Sequence, residues 1–343
     1  MSAVVSLDER DRKAEHIRLA LDERMQLGGA SAFDEYRFSH VALPEVDLDE
    51  IDTSVELLGR RLAAPLLISS MTGGTDMAGR INRNLAAGAE RTGIAMAVGS
   101  QRKALEDPAK ADTFRVREAA PSIPLLANLG AVQLNYGMGV RECRAAVDMI
   151  GADALILHLN PLQEALQPEG QCDFSGLLPK IGSVVRELGV PVVVKEIGSG
   201  LSEPVARQLA GQGVRILDTA GVGGTSWARI EARRSGDLEI GEIFAGWGIP
   251  TPRSIQEVAR VEGVTVIASG GIRNGIDSAK ALALGAHLVG MAYPFLAAAT
   301  ESPERVADVV RRTVRELKIC MFCLGVKTIA ELRQTKLLEK VAR

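Results

Sequence analysis

Short apolar runs, each passing into polar or glycine-rich residues, recur along the chain at Pro65–Ser70, Ile94–Val98, Pro124–Asn128, Ala154–His158, Pro191–Lys195, Val214–Leu217, Val264–Ala268 and His287–Met291. They are nearly continuous in aliphatic residues instead of alternating, the pattern of strands buried on both faces. Helical periodicity fills the intervals at Ala78–Arg91, Asp112–Ala119, Arg141–Ile150, Asp173–Leu188, Glu203–Gly211, Pro252–Arg260 and Ile276–Leu284, and again at Pro303–Leu317 after the last run. The alternation predicts an α/β protein with a parallel sheet. Eight repeats favour closure into a (β/α)8 TIM barrel, with a doubly wound open sheet as the second choice.

Two stretches depart from the repeat. Residues 1–62 contain a charged helical run, Leu7–Leu27, stopped by Gly28-Gly29, and then an irregular lead-in over Asp34–Arg61. We read them as an N-terminal extension packing over the mouth of a barrel formed by residues 63–343. Between the sixth strand and its helix, Asp218–Pro250 holds seven glycines and two tryptophans with little regular pattern. A long loop after strand 6 reads as a lid or binding segment.

Composition narrows the function classes. With 343 residues, 46% of them hydrophobic, the chain suffices for one large barrel with an extension. No apolar run approaches the roughly 20 residues that span a bilayer, and Met1–Arg18 is charged, without a leader-like apolar segment. The expectation is a cytoplasmic protein with no membrane partner. A net charge of −3 argues against a nucleic-acid partner. Cys320 and Cys323 fall in a helical stretch with no second pair, so neither zinc nor redox use is expected of them.

Candidate chemistry gathers at the strand ends, where ligands sit in sheets covered by helices. The fourth run ends in His158-Leu159-Asn160-Pro161-Leu162-Gln163-Glu164, four polar groups of different chemistry in one loop. The seventh ends in Ser269-Gly270-Gly271-Ile272-Arg273-Asn274 and then a helix, which offers backbone N–H groups and a helix amino terminus to a phosphate. The glycine pairs Gly137/Gly139, Gly198/Gly200 and Gly221/Gly223 never complete a dinucleotide fingerprint, and no Walker loop, H-E-x-x-H or G-x-S-x-G is present. His40 and His287 read as structural, whereas His16 stands beside Arg12 and Lys13.

In chain order, Arg12-Lys13-x-x-His16, Met71-Thr72-Gly73-Gly74, Gly99-Ser100-Gln101-Arg102, the His158–Glu164 heptad, Lys195-Glu196, Gly223-Gly224-Thr225-Ser226-Trp227 and Ser269-Gly270-Gly271-Ile272-Arg273 cover nearly the whole sequence. In these motifs the chain resembles the FMN-dependent type 2 isopentenyl diphosphate isomerases. The resemblance implies interconversion of isopentenyl and dimethylallyl diphosphate with FMN, Mg2+ and NADPH or NADH as reductant, in a homo-oligomer (tetramer or octamer). It implies Ser70, Met71, Thr72, Ser100, Asn128, Lys195 and Thr225 on the flavin ring and ribityl chain, and Gly271, Arg273, Met291 and Ala292 on its phosphate. It also implies Arg12, Lys13, Ser100, Gln101, Arg102, His158 and Asn160 on the substrate diphosphate, Gln163 near the reacting alkene, and Glu164 on the metal. Beside reduced FMN as the main acid/base, Gln163 and His158 are the catalytic candidates. Where many members carry serine, this chain has Ala220.

The chemistry fits independently of the resemblance. A 1,3-allylic shift adds a proton to an unactivated alkene at one end and removes one at the other, work suited to a cofactor acid/base in a dry pocket. The first rival is a flavin oxidoreductase on the same barrel, which would need a histidine base in the later loops, and Asp218–Gly248 has none. A dehydrogenase would need a loop cysteine, but Cys143, Cys172, Cys320 and Cys323 lie in helical or peripheral stretches. The second rival is a non-catalytic flavin- or phosphate-binding barrel.

Overall fold

The structure, a computed structural model, describes residues 9–27 and 31–341, with side chains described from Lys13 onward. Eight parallel strands close into a barrel: β1 (Leu66–Ile68), β2 (Ala95–Ala97), β3 (Leu125–Gly130), β4 (Ala154–Leu159), β5 (Val192–Glu196), β6 (Ile216–Asp218), β7 (Thr265–Ala268) and β8 (Leu288–Met291). Each coincides with one of the apolar runs, so closure takes precedence over the open sheet. Outward residues such as Leu66, Leu155, Val194 and Val289 pack in one large core with the surrounding helices. Inward residues Leu67, Ala95, Leu126, Ile156, Val193, Ile216, Ile267 and Leu288 form a second core that fills the barrel.

That inner core is sealed from below by a hairpin, Val55–Leu57 paired with Arg60–Leu62, whose Leu57 and Leu62 are buried against it. Its two-residue turn places Leu58 and Gly59 at positive φ (52° and 72°), the geometry that matches strand twist. The 1–62 segment therefore does not pack over the mouth as one unit. Among its described residues, those at the mouth are Lys13, His16, Ile17, Ala20 and Gln26. Tyr36–Phe38 pairs with Leu338–Lys340, joining the lead-in to the last strand of the described chain. The Gly28-Gly29 stop and Leu7 lie outside the described residues. Among the described residues no helix is long and apolar enough to cross a membrane.

Two further expectations are corrected. Asp112–Ala119 is not an α-helix; a short helix, Arg102–Glu106, precedes it, a 3-10 segment, Pro108–Thr113, runs into its start, and turns follow. Its backbone is committed elsewhere: Asn82 Nδ2 donates to the Thr113 carbonyl at 2.9 Å, and Thr113 Oγ1 accepts from Gly74 N. The segment between β6 and its helix is not irregular throughout but contains the helices Trp227–Ser235 and Leu238–Ile243, capped by Ser226 and Asp237. Cys320 and Cys323 sit as free thiols in the helix Pro303–Cys323.

The Asn82 and Thr113 tie also seats Phe114, fully buried, against Gly73 of the loop after β1, where any Cβ would overlap the Phe114 ring. Gly73→Ala should therefore lower stability by about 1–3 kcal/mol, the usual cost of overpacking. A Tm equal to that of the wild type in thermal unfolding would show that the ring moves aside freely.

Candidate functional site

Each strand alternates inward and outward, so two residues beyond an inward aliphatic the next inward position reaches the barrel's upper floor. There the chemistry changes: Leu67 gives way to Ser69, Leu126 to Asn128, Ile156 to His158, Val193 to Lys195, Ile216 to Asp218, Ile267 to Ser269 and Leu288 to Gly290. Above this floor lies a cavity of about 260 Å³. It brings together Lys13, Ser70, Met71, Thr72, Ser100, Arg102, Asn128, His158, Asn160, Gln163, Glu164, Lys195, Thr225, Gly271, Arg273, Met291 and Ala292, all singled out from sequence.

Two expected residues stand apart. Gln101 is fully buried behind the wall; its Nε2 donates to the Ala146 carbonyl (2.8 Å) and its Oε1 accepts from Asn128 N (2.9 Å), so it braces the end of β3 and does not reach a ligand. Arg12 lies in the helix Glu9–Leu21, but its side chain is outside the described residues.

One side of the cavity is built from glycines. Gly270 and Gly271, at φ 103° and 72°, lie against the loop after β6 so closely that a Cβ on Gly271 would overlap the Gly223 carbonyl and one on Gly224 would stand 2.8 Å from Gly271 N. Only bare backbone fits. The helix Gly275–Ala283 begins directly after, capped by Asn274, which accepts from Asp277 N at 2.8 Å, while Gly275 N donates to Glu316 Oε2 at 2.8 Å. Nearby, Ser69 Oγ and Thr72 Oγ1 are buried without a hydrogen-bond partner among the described residues, as groups awaiting a ligand would be.

The opposite side is a polar web around the helix Pro161–Leu166. Asn160 Nδ2 donates to Gln163 Oε1 (3.0 Å) and Glu164 Oε1 (2.8 Å), while Glu164 Oε2 accepts from Gln167 Nε2 (3.0 Å) and Gln171 N (2.7 Å). A carboxylate has about four lone-pair sites, so Glu164 keeps one open, on Oε1. Gln163 Nε2 donates to Glu231 Oε1 at 2.7 Å. Glu231 is fully buried, and Arg234 donates to its other oxygen at 2.6 Å. His16 Nε2 stands 3.2 Å from Glu231 Oε1, close enough for ionic contact but off the hydrogen-bond line. Burial pushes the Glu231 carboxyl up, but contacts with His16, Gln163 and Arg234 prevail and hold it at about 2. Burial, opposed by Glu231, moves His16 below its usual value.

His158 borders the cavity yet lies deep in the protein, away from bulk water. Burial, reinforced by the positive charges of Lys13, Lys195 and Arg102, lowers it to about 3. Its ring is therefore neutral at pH 7. Nδ1 lies 3.0 Å from Asn128 Oδ1, and Asn128 Nδ2 donates to Ser70 Oγ, so Nδ1 carries the proton and Nε2 an open lone pair.

The amino-terminal segment is stitched to the loop after β6. Leu27 N donates to the Gly224 carbonyl (2.9 Å), Ser226 N to that of Met25 (2.8 Å), and Gln26 Nε2 to Thr225 Oγ1 (2.9 Å). The rings of His16 and Trp227 meet edge to face with centroids 5.4 Å apart. Thus Lys13, His16, Ile17 and Ala20 are part of the cavity wall.

Sequence reading missed Glu231, Gln26, Asp218 and Gln133, the last of which lines the cavity and accepts from Arg102 Nη1 at 3.4 Å. Asp218 was accessible in principle, because it follows inward Ile216 by two residues as Lys195 follows Val193. Glu231 carries no such signal, because its helix lies in a segment with little regular pattern. Among the described residues no group of three or more His, Cys, Asp or Glu side chains is arranged to hold a metal by itself.

Comparisons with known proteins agree with this arrangement. The FMN-dependent dehydrogenase family model matches residues 19–121 and 178–339. The isopentenyl-diphosphate delta-isomerase of Synechococcus sp. is 52% identical over 328 residues, covering 94% of each chain. That of Paracoccus zeaxanthinifaciens is 51% identical over 331 residues, covering 94% of this chain and 95% of its own. Among solved structures, a lactate oxidase of Pediococcus acidilactici superposes with a TM-score of 0.68 at 17% identity, over 100% of this chain and 96% of its own. A mandelate oxidase with benzoyl-formic acid gives 0.68 at 17% identity, over 97% and 98%. At that identity the likeness speaks for the fold.

The low His158 value has a consequence for stability. An unfolded chain takes up a proton as pH falls through about 6.5, whereas the folded protein resists it until about 3, so acid progressively disfavours the fold across that window. Against His158→Gln, which cannot titrate, the wild type should lose on the order of 2–3 kcal/mol between pH 6.5 and pH 4. Urea unfolding at a series of pH values reads the difference; a constant gap would mean that the ring takes up its proton as readily in the folded protein as in the unfolded chain.

Proposed function

The chain belongs to the isopentenyl-diphosphate delta-isomerase family, on the FMN-dependent dehydrogenase barrel, and on that premise we propose that it interconverts isopentenyl and dimethylallyl diphosphate by a redox-neutral 1,3-allylic proton shift. The observation that carries the reading is the union in one cavity of a glycine-built phosphate side, a cationic side with Lys13 and Arg102, and Gln163 and Glu164 on the wall. When bound, reduced FMN supplies ring nitrogens as acid and base for an alkene that a carboxylic acid protonates slowly.

In this reading the residues bind, orient and exclude water. Gly271, Arg273, Met291 and Ala292 hold the flavin phosphate; Ser70, Met71, Thr72, Ser100, Asn128, Lys195 and Thr225 meet its ring and chain. Lys13, Arg102 and Arg12 take the substrate diphosphate, with Asn160 beside them. His158 stays neutral and is fixed by Asn128, so it offers Nε2 as an acceptor or takes up a proton when an anion binds. Gln163 is held at both ends of its amide by Asn160 and Glu231, and an amide so held positions the alkene and supplies no proton. His16 and Trp227 close the cavity over it.

Glu164 suits Mg2+. One open lone pair on a single carboxylate is what this cation requires when its remaining positions are phosphate oxygens and water. The absence of a multi-carboxylate cluster among the described residues fits a metal delivered with the diphosphate. Substrate and product share one oxidation level, so NADPH or NADH serves only to reduce the flavin. A barrel oxidase acting on a hydroxy acid would need a base in the later loops, and Asp218–Gly248 has no histidine.

The deciding experiment is anaerobic incubation with isopentenyl diphosphate, FMN, Mg2+ and one equivalent of NADPH per enzyme. Many turnovers to dimethylallyl diphosphate are expected; NADPH oxidation in step with product would overturn the isomerase in favour of an oxidoreductase. Glu164→Gln should raise the Mg2+ concentration needed for half-maximal rate by at least tenfold, and an unchanged Mg2+ titration would remove Glu164 from the metal. Arg102→Ala should weaken substrate binding by about 2–5 kcal/mol while the protein keeps its flavin spectrum. Loss of flavin with intact substrate affinity would reassign Arg102 to the cofactor.

A further inference from the structure

Beneath the cavity, Lys195 and Asp218 are register partners on adjacent strands at the polar floor of the barrel. Their ammonium and carboxylate meet at 3.0 Å, with side chains 8% and 1% exposed. Ser269, from the next strand, closes a triangle: it accepts from Lys195 Nζ at 3.2 Å and donates to Asp218 Oδ1. Lys195 and Ser269 line the cavity, whereas Asp218 stands behind them, its carboxylate also accepting from Ala220 N. An ammonium has three N–H donors. One is spent on Ser269, the contact with Asp218 Oδ2 is ionic and off the hydrogen-bond line, and at least one is left for the cavity.

We propose that Asp218 is a positioning residue that cancels the charge of Lys195, so that the floor presents a bound flavin with a hydrogen-bond donor of near-zero net charge. This rests on the reading that Lys195 faces the flavin ring. The physical reason lies in the difference between a donor and a bare cation. An unpaired ammonium within hydrogen-bonding reach of the reduced ring, in a site shielded from water, pulls a proton off that ring by stabilising its anion. A paired one orients the ring and leaves its proton in place. A catalyst that must donate a proton to an alkene needs the second condition. Two other acceptors could have paired with Lys195 without cancelling its charge, a backbone carbonyl or a hydroxyl alone; a buried carboxylate is the costlier choice and the one that neutralises.

The other charged groups on the cavity leave this balance unaltered. His158, on the neighbouring strand β4, is uncharged down to about 3. Lys13, His16, Arg102 and Arg273 line the cavity walls, Glu164 is engaged with Asn160, Gln167 and Gln171, and all are common to every variant compared.

The test reads the flavin and not the turnover. The purified holoprotein is reduced anaerobically with dithionite and its absorption spectrum followed against pH, which reports where the reduced ring loses its proton. In Asp218→Asn, which keeps shape and removes the counter-charge, the midpoint should fall by about 1–3 pH units. In Lys195→Met, which leaves Asp218 unpaired, it should rise. In the double variant Lys195→Met/Asp218→Asn, with neither charge, it should return to within about half a unit of the wild type. An Asp218→Asn flavoprotein that titrates like the wild type overturns the inference, as does a double variant that retains the lowered midpoint. Should Asp218→Asn not hold flavin, Lys195→Met and the double variant decide: a higher midpoint in the first supports the inference, and equal midpoints overturn it. Wild-type protein that takes up no FMN would instead overturn the flavin reading itself, an outcome distinct from a flavoprotein indifferent to Asp218.

Discussion

Everything at this site depends on the period-two alternation of inward positions inside a closed barrel. Closure forces the inward side chains of eight strands into stacked layers, and the lower layers must be apolar because no water reaches them. One step higher, the same positions carry Ser69, Asn128, His158, Lys195, Asp218 and Ser269. Polar groups are tolerable there only because they satisfy one another across strands or face a ligand. Asn128 binds His158 and Ser70, and Lys195 binds Asp218 and Ser269. The floor of the site is thus the last layer of the core with its chemistry exchanged, and its rigidity is the rigidity of the barrel.

The walls obey a different logic. On one side backbone replaces side chain: Gly223, Gly224, Gly270 and Gly271 approach so closely that a methyl group would separate the two loops. On the other, amides and carboxylates from several elements hold each other in place, with Gln163 fixed between Asn160 and Glu231 and Glu164 between Asn160, Gln167 and Gln171. The first wall accepts a phosphate by offering N–H groups without steric cost. The second orients groups that would otherwise rotate, which is the usual purpose of fully paired buried networks. Between them, the ties of residues 25–27 to residues 224–226 bring the amino-terminal helix to the cavity, so a charged segment that looks solvated in isolation becomes wall.

Strand positions, the barrel and most of the cavity residues were legible in the order of residues, because buried parallel strands are continuous aliphatic runs and their ends announce themselves by polarity and glycine. The His158–Glu164 loop and the Ser269–Asn274 turn are local features, and local features survive in one dimension. Folding alone decided the rest. Gln101 belongs to a motif beside Ser100 and Arg102, yet it turns away from the cavity to brace Asn128, a matter of side-chain direction that spacing does not record. Thr113 and Phe114 look helical by periodicity, but Asn82 and Gly74, from another element, claim the Thr113 carbonyl and hydroxyl. Glu231 gains its role from His16 and Gln163, 215 and 68 residues away by their numbering. Pattern determines which residues are apolar, small or charged at each step along the chain; which two charges share a buried floor, as Lys195 and Asp218 do, follows only when strand register brings distant residues within 3.0 Å and removes the water that would screen them.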